Sequence, residues 1–402
     1  MLKRILSLLL VCAVMVPAVA QKELKPLRTL VKAKKTADAM KEVERLEADS
    51  ICQFMPELYE LAVKVQIQIN DVENEKVYLK KACDTVKLFE STRQIFKYTL
   101  KGDSVAYALR IYMGKKPVLD ATKVKILRRY YKNLVAGTNY FYSRKNYKEA
   151  QKNLDVLLSL PNSPLWKAAH VDTLDSEFAS YAYMYTYSAF QSGDYAAVER
   201  FKSLLLSNEK YYETSLEMYA RTANDVGNSE AFEHYLEMGT ASFPLHEYFF
   251  DELATLYVSD QRYSQCVALA NQGLLADSTS LKAMYLKAYA LYQMEEEEPC
   301  IEVAKQLVAV DTAQQYVDAN YYVGQFTMNK LQTIYLPTRI GSKAFELAKQ
   351  DMKNICEEAR PYLERYRKLR PSQHEKWASL LYRIYLELNM GPEFEDVSRY
   401  VQ

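Results

Sequence analysis

The stretch from Ser192 to Asp311 repeats one unit, and this repetition restricts the fold more than any other feature of the chain. Four passages line up: GDYAAVERFKSLL (193–205), VGNSEAFEHYLEMG (226–239), DQRYSQCVALANQGLL (260–275) and EEEEPCIEVAKQLV (295–308). In each, a small or medium apolar residue opens a second helix: Val198, Ala231, Cys266 and Cys300. The steps are 231−198=33, 266−231=35 and 300−266=34. A helix–turn–helix unit of this length cannot bury its apolar face alone, so neighbouring units must stack into a continuous core. With only 10 Gly and 12 Pro in 402 residues, few breakers interrupt such helices.

The unit 248–278 is the most regular. Leu253 and Ala254 stand at the small-residue contact, Tyr257 follows, Tyr263 lies in the turn, and Cys266, Ala270 and Gly273 run down the second helix. These residues and the period resemble the tetratricopeptide repeat (TPR) family, although most of the family's Trp, Gly and Pro marks are absent. The resemblance implies an all-α, right-handed superhelical solenoid whose first helices line a concave, ligand-binding side. The tail from about Ile340 also looks like the C-terminal part of exported repeat proteins of Gram-negative bacteria.

At the N-terminus, Lys3 and Arg4 precede an apolar run from Ile5 to Val16, then Pro17 and Ala18-Val19-Ala20. This pattern is that of a cleavable secretory signal peptide over 1–20, with cleavage after about Ala20. The run is too short to span a bilayer comfortably. Lipidation at Cys12 is the rival reading, and Val11 before it fits that poorly. The expectation is a periplasmic protein with no transmembrane segment in its mature chain. Five cysteines then remain: Cys52, Cys83, Cys266, Cys300 and Cys356. Cys266 and Cys300 are expected as buried small hydrophobes, about 10 Å apart and too far for a disulfide.

Taken in order, residues 21–160 read as degenerate helical repeats. A helix or helix pair covers 22–50. Another helix opens at Pro56 and ends at Asn70-Asp71, and Tyr78, Leu79, Ala82, Val86 and Phe89 line its partner. Lys101-Gly102-Asp103 reads as a turn, and a clearer hairpin covers 124–160. The step from Ala150 to Val198 is 48, so 161–178, with Trp166 and His170, reads as an insertion or linker. The array and its terminal capping helices fill 179–402. There a long helix from Ser342 to Arg370 carries Pro361, which either kinks it or divides it in two.

The motifs of catalysis are missing. The four histidines, His170, His234, His246 and His374, form no HExxH helix, and neither a G-x-S-x-G elbow nor a Gly-rich phosphate loop occurs. The acid run Glu295–Glu298 lacks the alternating ligands and Gly turn of a calcium loop and reads as a solvated face. Asp194, Glu230 and Asp260 sit where second helices start, which suits capping. No cofactor or metal is expected. An enzyme with active residues in the 161–175 or 336–341 insertions is the least favoured reading. A net charge of +1 gives no basic surface for nucleic acid.

The chain therefore reads as a non-catalytic scaffold for a protein or peptide partner. The inward face should carry Tyr183, Tyr187 and Phe190 in one unit, Tyr248 (with Asp251) in another, and Lys282, Tyr285, Tyr289 and Tyr292 in the next. Leu216 and Ala220 should face inward between them. With 34 Tyr and 2 Trp, tyrosine is the aromatic available for contact. Tyr ladders also stack on sugar rings, so a glycan is the alternative partner. Packing against neighbouring helices is the competing use of Tyr285, Tyr289 and Tyr292, while Tyr219, Tyr257 and Tyr263 already fall at packing positions.

Overall fold

The computed structural model describes residues 22–169 and 173–401. The export segment expected at 1–20, with Cys12, and His170 in the insertion lie outside them. Among the described residues all regular secondary structure is helical, and helices pack against their neighbours in chain order. The chain is thus an all-α protein of solenoid type.

The described residues form two compact units that part between Thr222 and Ala223. The first begins with α1 (Lys25–Lys32) and α2 (Thr36–Ala48), followed by the long pair α3 (Pro56–Tyr78) and α4 (Thr85–Tyr112). Next come α5 (Ala121–Ser143), α6 (Tyr147–Ser159), the short α7 (Pro164–Ala169) and α8 (Thr173–Gln191). Its last second helix is broken: α9 (Tyr195–Val198) and α10 (Lys202–Leu206) flank a 3-10 turn. Then α11 (Tyr212–Asp225) runs across the division. The second unit continues with α12 (Ser229–Ser242), α13 (Glu247–Ser259), α14 (Tyr263–Ala276), α15 (Leu281–Gln293) and α16 (Glu297–Val310). It closes with α17 (Asp318–Asn329), α18 (Lys343–Leu369), α19 (His374–Glu387) and α20 (Gly391–Ser398). Here first helices also touch each other, α15 with α17 and α17 with α19.

One turn recurs at a constant interval. Gly193, Gly227, Gln261 and Glu295 all adopt the left-handed conformation, with φ of 71°, 73°, 57° and 59°. The steps 227−193, 261−227 and 295−261 are each 34. Every one closes a first helix in the same way. Glu295 N–H donates to Tyr292 O at 3.1 Å, and Glu296 N–H donates to Leu291 O at 3.0 Å. Gln261 and Arg262 repeat this with Val258 O and Tyr257 O at 3.1 and 2.8 Å. This Schellman arrangement satisfies the orphan carbonyls of the helix end and reverses the chain. The second helix then starts on a side-chain cap in two units, where Asp194 and Asn228 accept from Ala197 N and Ala231 N. Glu230 lies in the first turn of α12, and Asp260 reaches Arg262 at 3.9 Å.

Counting from this turn corrects the alignment by one residue. Val198, Cys266 and Cys300 all lie five positions after it, whereas Ala231 lies four after Gly227. The equivalent residue is Phe232. Val198, Cys266 and Cys300 are fully buried, while Ala231 and Phe232 are both half-buried. Cys266 and Cys300 are free thiols; burial pushes the Cys300 thiol up to about 12.

Sequence reading also misplaces the break between α3 and α4. The helix runs through Asn70-Asp71 to Tyr78, and the turn lies at 79–84. Asn70 does not end the helix because its side chain is occupied across the hairpin. Its Nδ2 donates to Leu88 O, Ser91 Oγ and Thr92 Oγ1, each at 2.9 Å. Tyr78 and Ala82 are consequently exposed and line no helix face. Gly102 is no turn either. It sits within α4 where a Cβ would meet Tyr59 Cβ at 2.8 Å, so it permits close approach of α3. Pro361 lies inside the single helix α18. The acid run is solvated as expected: Glu295, Glu296 and Glu298 are exposed, while Glu297 accepts from Asn329 and Glu298 pairs with Lys330 at 3.0 Å at the surface.

The insertion differs from a surface loop as well. Leu165, Trp166 and Ala169 are buried, the Trp166 ring lies 4.9 Å from that of Tyr131, and Arg128 donates to Ala169 O. The segment belongs to the core of the first unit, and the compact units part at 222/223 instead of within 161–178.

A residue with a Cβ pays about 1–2 kcal/mol in the left-handed region, which glycine avoids. Gln261→Gly and Glu295→Gly should therefore each raise unfolding free energy in urea by about 0.5–1 kcal/mol, and Gly227→Ala should lower it by about 1 kcal/mol. Equal stabilities across the three variants would contradict the turn geometry.

Candidate functional site

The turn also fixes which side chains share a face of the first helices. Positions 13, 10, 6 and 3 before it hold Lys282, Tyr285, Tyr289 and Tyr292 in α15, and Tyr248, Asp251, Thr255 and Val258 in α13. In α8 they hold Ser180, Tyr183, Tyr187 and Phe190. In α11 they hold Thr214, Glu217, Arg221 and Asn224. Leu216 and Ala220, expected on this face, are fully buried instead. They sit one residue off, and one residue rotates a helical side chain by about 100° into the core. The true occupants Glu217 and Arg221 form an ion pair at 2.7 Å, a pattern that a correct register would have exposed.

All eight expected face residues are half-buried: Tyr183, Tyr187, Phe190, Tyr248, Lys282, Tyr285, Tyr289 and Tyr292. Within the second unit, α15 meets α17 through a tyrosine cluster. Tyr285 stacks on Tyr316 at 4.7 Å between ring centroids, and Tyr292 stacks on Tyr322 at 4.3 Å. Tyr292 Oη donates to Gln325 Oε1 at 2.7 Å. Tyr289 lies edge-on to Tyr263 at 6.3 Å. Burial pushes the phenol groups of Tyr285, Tyr289 and Tyr322 upward, so they remain neutral donors. Two ion pairs flank the cluster. Lys282 Nζ reaches Asp251 Oδ1 on α13 at 3.0 Å, and Lys376 of α19 reaches Asp318 Oδ1 at 3.5 Å.

The first unit holds a comparable cluster of its own. Tyr183 stacks on Tyr211 at 4.7 Å and on Tyr187 at 6.2 Å. Tyr187 in turn meets Tyr142 and Tyr147 at 6.1 and 5.7 Å. Tyr142 stands three residues before the left-handed Lys145, the slot of Phe190 and Tyr292.

Sequence reading missed Tyr142, Tyr316, Tyr322 and Gln325. The 34-residue step would have found Tyr316, which follows Lys282 by that interval. Tyr322 carried no such signal, because α17 leaves the period. Packing of the tyrosine rings is thus established, and their outward edges supply phenol and apolar surface together. Tyr219 and Tyr257 are buried as packing positions should be, while Tyr263 is half-buried.

No family model matches the chain, and no curated protein matches it. Among solved structures, a circular tandem repeat protein with novel repeat topology and enhanced subunit contact surfaces is similar over 97% of this chain and 95% of its own. The identity is 12% and the TM-score 0.18, so this likeness says nothing of function. No helix among the described residues is long and apolar enough to cross a membrane.

Tyr292 combines a stacked ring with one hydroxyl bond, and the two contributions separate by substitution. Tyr292→Phe should cost about 1 kcal/mol in urea unfolding. Tyr292→Ala should cost about 3 kcal/mol, the low end for a core aromatic because the ring is half-buried. An alanine variant as stable as wild type would place this ring at the free surface.

Proposed function

We propose that the chain is a non-catalytic interaction scaffold of TPR type that holds a segment of another protein along its first helices. The observation that carries this reading is the half-burial of every tyrosine on the face. A ring already held by its neighbours loses little further freedom on binding, and its exposed edge offers both apolar area and a hydroxyl. The flanking pairs Lys282–Asp251 and Lys376–Asp318 add charges of both signs to the second unit's face. An extended peptide with apolar or aromatic anchors and polar backbone groups matches such a surface. We propose further that residues 1–20 direct export to the periplasm, with cleavage after about Ala20. Amino-terminal sequencing of the protein from its host checks this.

The binding test is a photo-crosslinking pair. The probe p-benzoylphenylalanine at Tyr289, where an aromatic already packs, should yield a discrete protein adduct in the native cell envelope. The same probe at Leu275, 89% exposed on the second helix α14, should not. Equal adducts from both sites, or none from Tyr289, would remove the first-helix face as the binding surface. No adduct from Tyr289, together with saturable tyrosine fluorescence change on adding oligosaccharide, would favour the glycan reading.

A further inference from the structure

The first unit contains a cleft that the interaction face does not use. It opens between α3, α4, α5 and the loop 113–120, with a volume of about 520 Å³. A smaller chamber of about 250 Å³ adjoins it, and the two share Glu60, Asp120 and Lys123. The polar floor consists of Asp103 on α4, Asp120 capping α5, and Lys123 in the first turn of α5.

Lys123 is the unusual member. It is 8% exposed, yet among the described residues its ammonium makes no hydrogen bond. Its nearest anions are Asp103 Oδ1 at 3.8 Å and Asp120 Oδ2 at 4.0 Å. Both gaps exceed hydrogen-bond range. The side chain is largely buried but its ammonium opens on the cleft with its three donors unused, so acceptor atoms entering the cleft can bond it. The spacing specifies where. An oxygen about 2.8 Å from both members of a pair fits each gap, accepting from the ammonium and donating to the carboxylate. A hydroxyl does both, whereas a carboxylate oxygen cannot donate and an ammonium cannot accept. Two such gaps share one lysine, so two hydroxyls of one ligand can fill them.

Above this floor Glu60 and Arg110 line the cleft beside an apolar wall. Tyr107, Val118 and Leu119 are 51%, 64% and 53% exposed at the cleft, and Pro164 closes its far side. Asp120 is fixed in place because its Oδ1 accepts from Thr122 N at 2.8 Å, which leaves Oδ2 for a ligand. Burial raises the Asp103 carboxyl, as expected of a group that the protein leaves underbonded.

We propose that this cleft binds a neutral polyhydroxylated ligand, a sugar, whose hydroxyls bridge Lys123 to Asp103 and Asp120 while its C–H face lies against Tyr107 and Leu119. The volume accommodates one or two sugar rings. This site is separate from the tyrosine face and involves no covalent step.

The experiment is isothermal titration of the full mature chain with glucose, galactose, mannose, maltose and cellobiose, with benzoate and benzylamine as anionic and cationic comparators. At least one sugar should bind saturably. Lys123→Met and Asp103→Asn should each weaken it at least tenfold. Because Lys123 is buried, the exposed-wall variants Tyr107→Ala and Leu119→Ala serve as a second arm; each should weaken binding about threefold or more without lowering the melting temperature. Tyr289→Phe, on the proposed partner face, should bind the sugar as wild type does. The proposal is overturned by any of three results: no saturable sugar binding at tens of millimolar, sugar binding that Tyr107→Ala and Leu119→Ala leave unchanged, or saturable binding of only the charged comparators. The first of these would leave water as the occupant of the floor.

Discussion

The left-handed residue that ends each first helix governs the arrangement of the array. It sets the angle at which the chain returns, and it does so at an interval of 34 residues from Gly193 to Glu295. The Schellman bonds around it are made by backbone, so the turn tolerates glycine, glutamine or glutamate at its key position. Side-chain identity can therefore drift while geometry persists. Packing then follows from the fixed return. Gly239 and Gly273, themselves 34 apart on α12 and α14, press so closely on the next first helix that a Cβ would strike Phe249 on α13 in one case and crowd Ala283 on α15 in the other. A hairpin of constant length that repeats this contact has only one way to stack.

The same constancy sets where the tyrosines pack. A first helix has a side toward its own second helix, a side toward the next first helix, and a side left over. Tyr285 and Tyr292 stand at the edge between the last two. Their rings fill the groove between α15 and α17, and their edges reach the surface. In the proposed reading packing and binding do not exclude each other, since stacking would hold the ring in position to bind.

Helix content, hairpin order and period were all legible in the sequence, because each is a repeated pattern that survives individual exceptions. Register was legible only to within a residue. Ala231 looked equivalent to Val198 and Cys266 on size, but backbone conformation, which the letters do not display, makes Phe232 the match. That slip placed Leu216 and Ala220 on the candidate inward face, where Glu217 and Arg221 belong. The α3/α4 hairpin failed for another reason. Asn70-Asp71 has the composition of a turn, and only a long-range partner, the Leu88–Thr92 segment, converts Asn70 into a buried cross-helix bond. At the candidate face, all eight expected residues are half-buried, yet the tyrosines they stack on came partly from outside the period and were invisible to it.

Departures from the period have a structural consequence. Where units are equal in length, each hairpin fills the space its neighbour leaves, and the interior closes. In the first unit α4 is 28 residues long and α5 is 23, and the loop between them is anchored by Arg110 Nε donating to Lys116 O at 2.9 Å. Gly102 draws α4 against the start of α3 at Tyr59. The opening that results is where Asp103, Asp120 and Lys123 converge. A regular array supplies extended faces suited to extended partners, whereas an enclosed polar pocket requires a mismatch between neighbouring helices. The irregular part of this chain provides that mismatch, and an underbonded buried lysine is found at its floor.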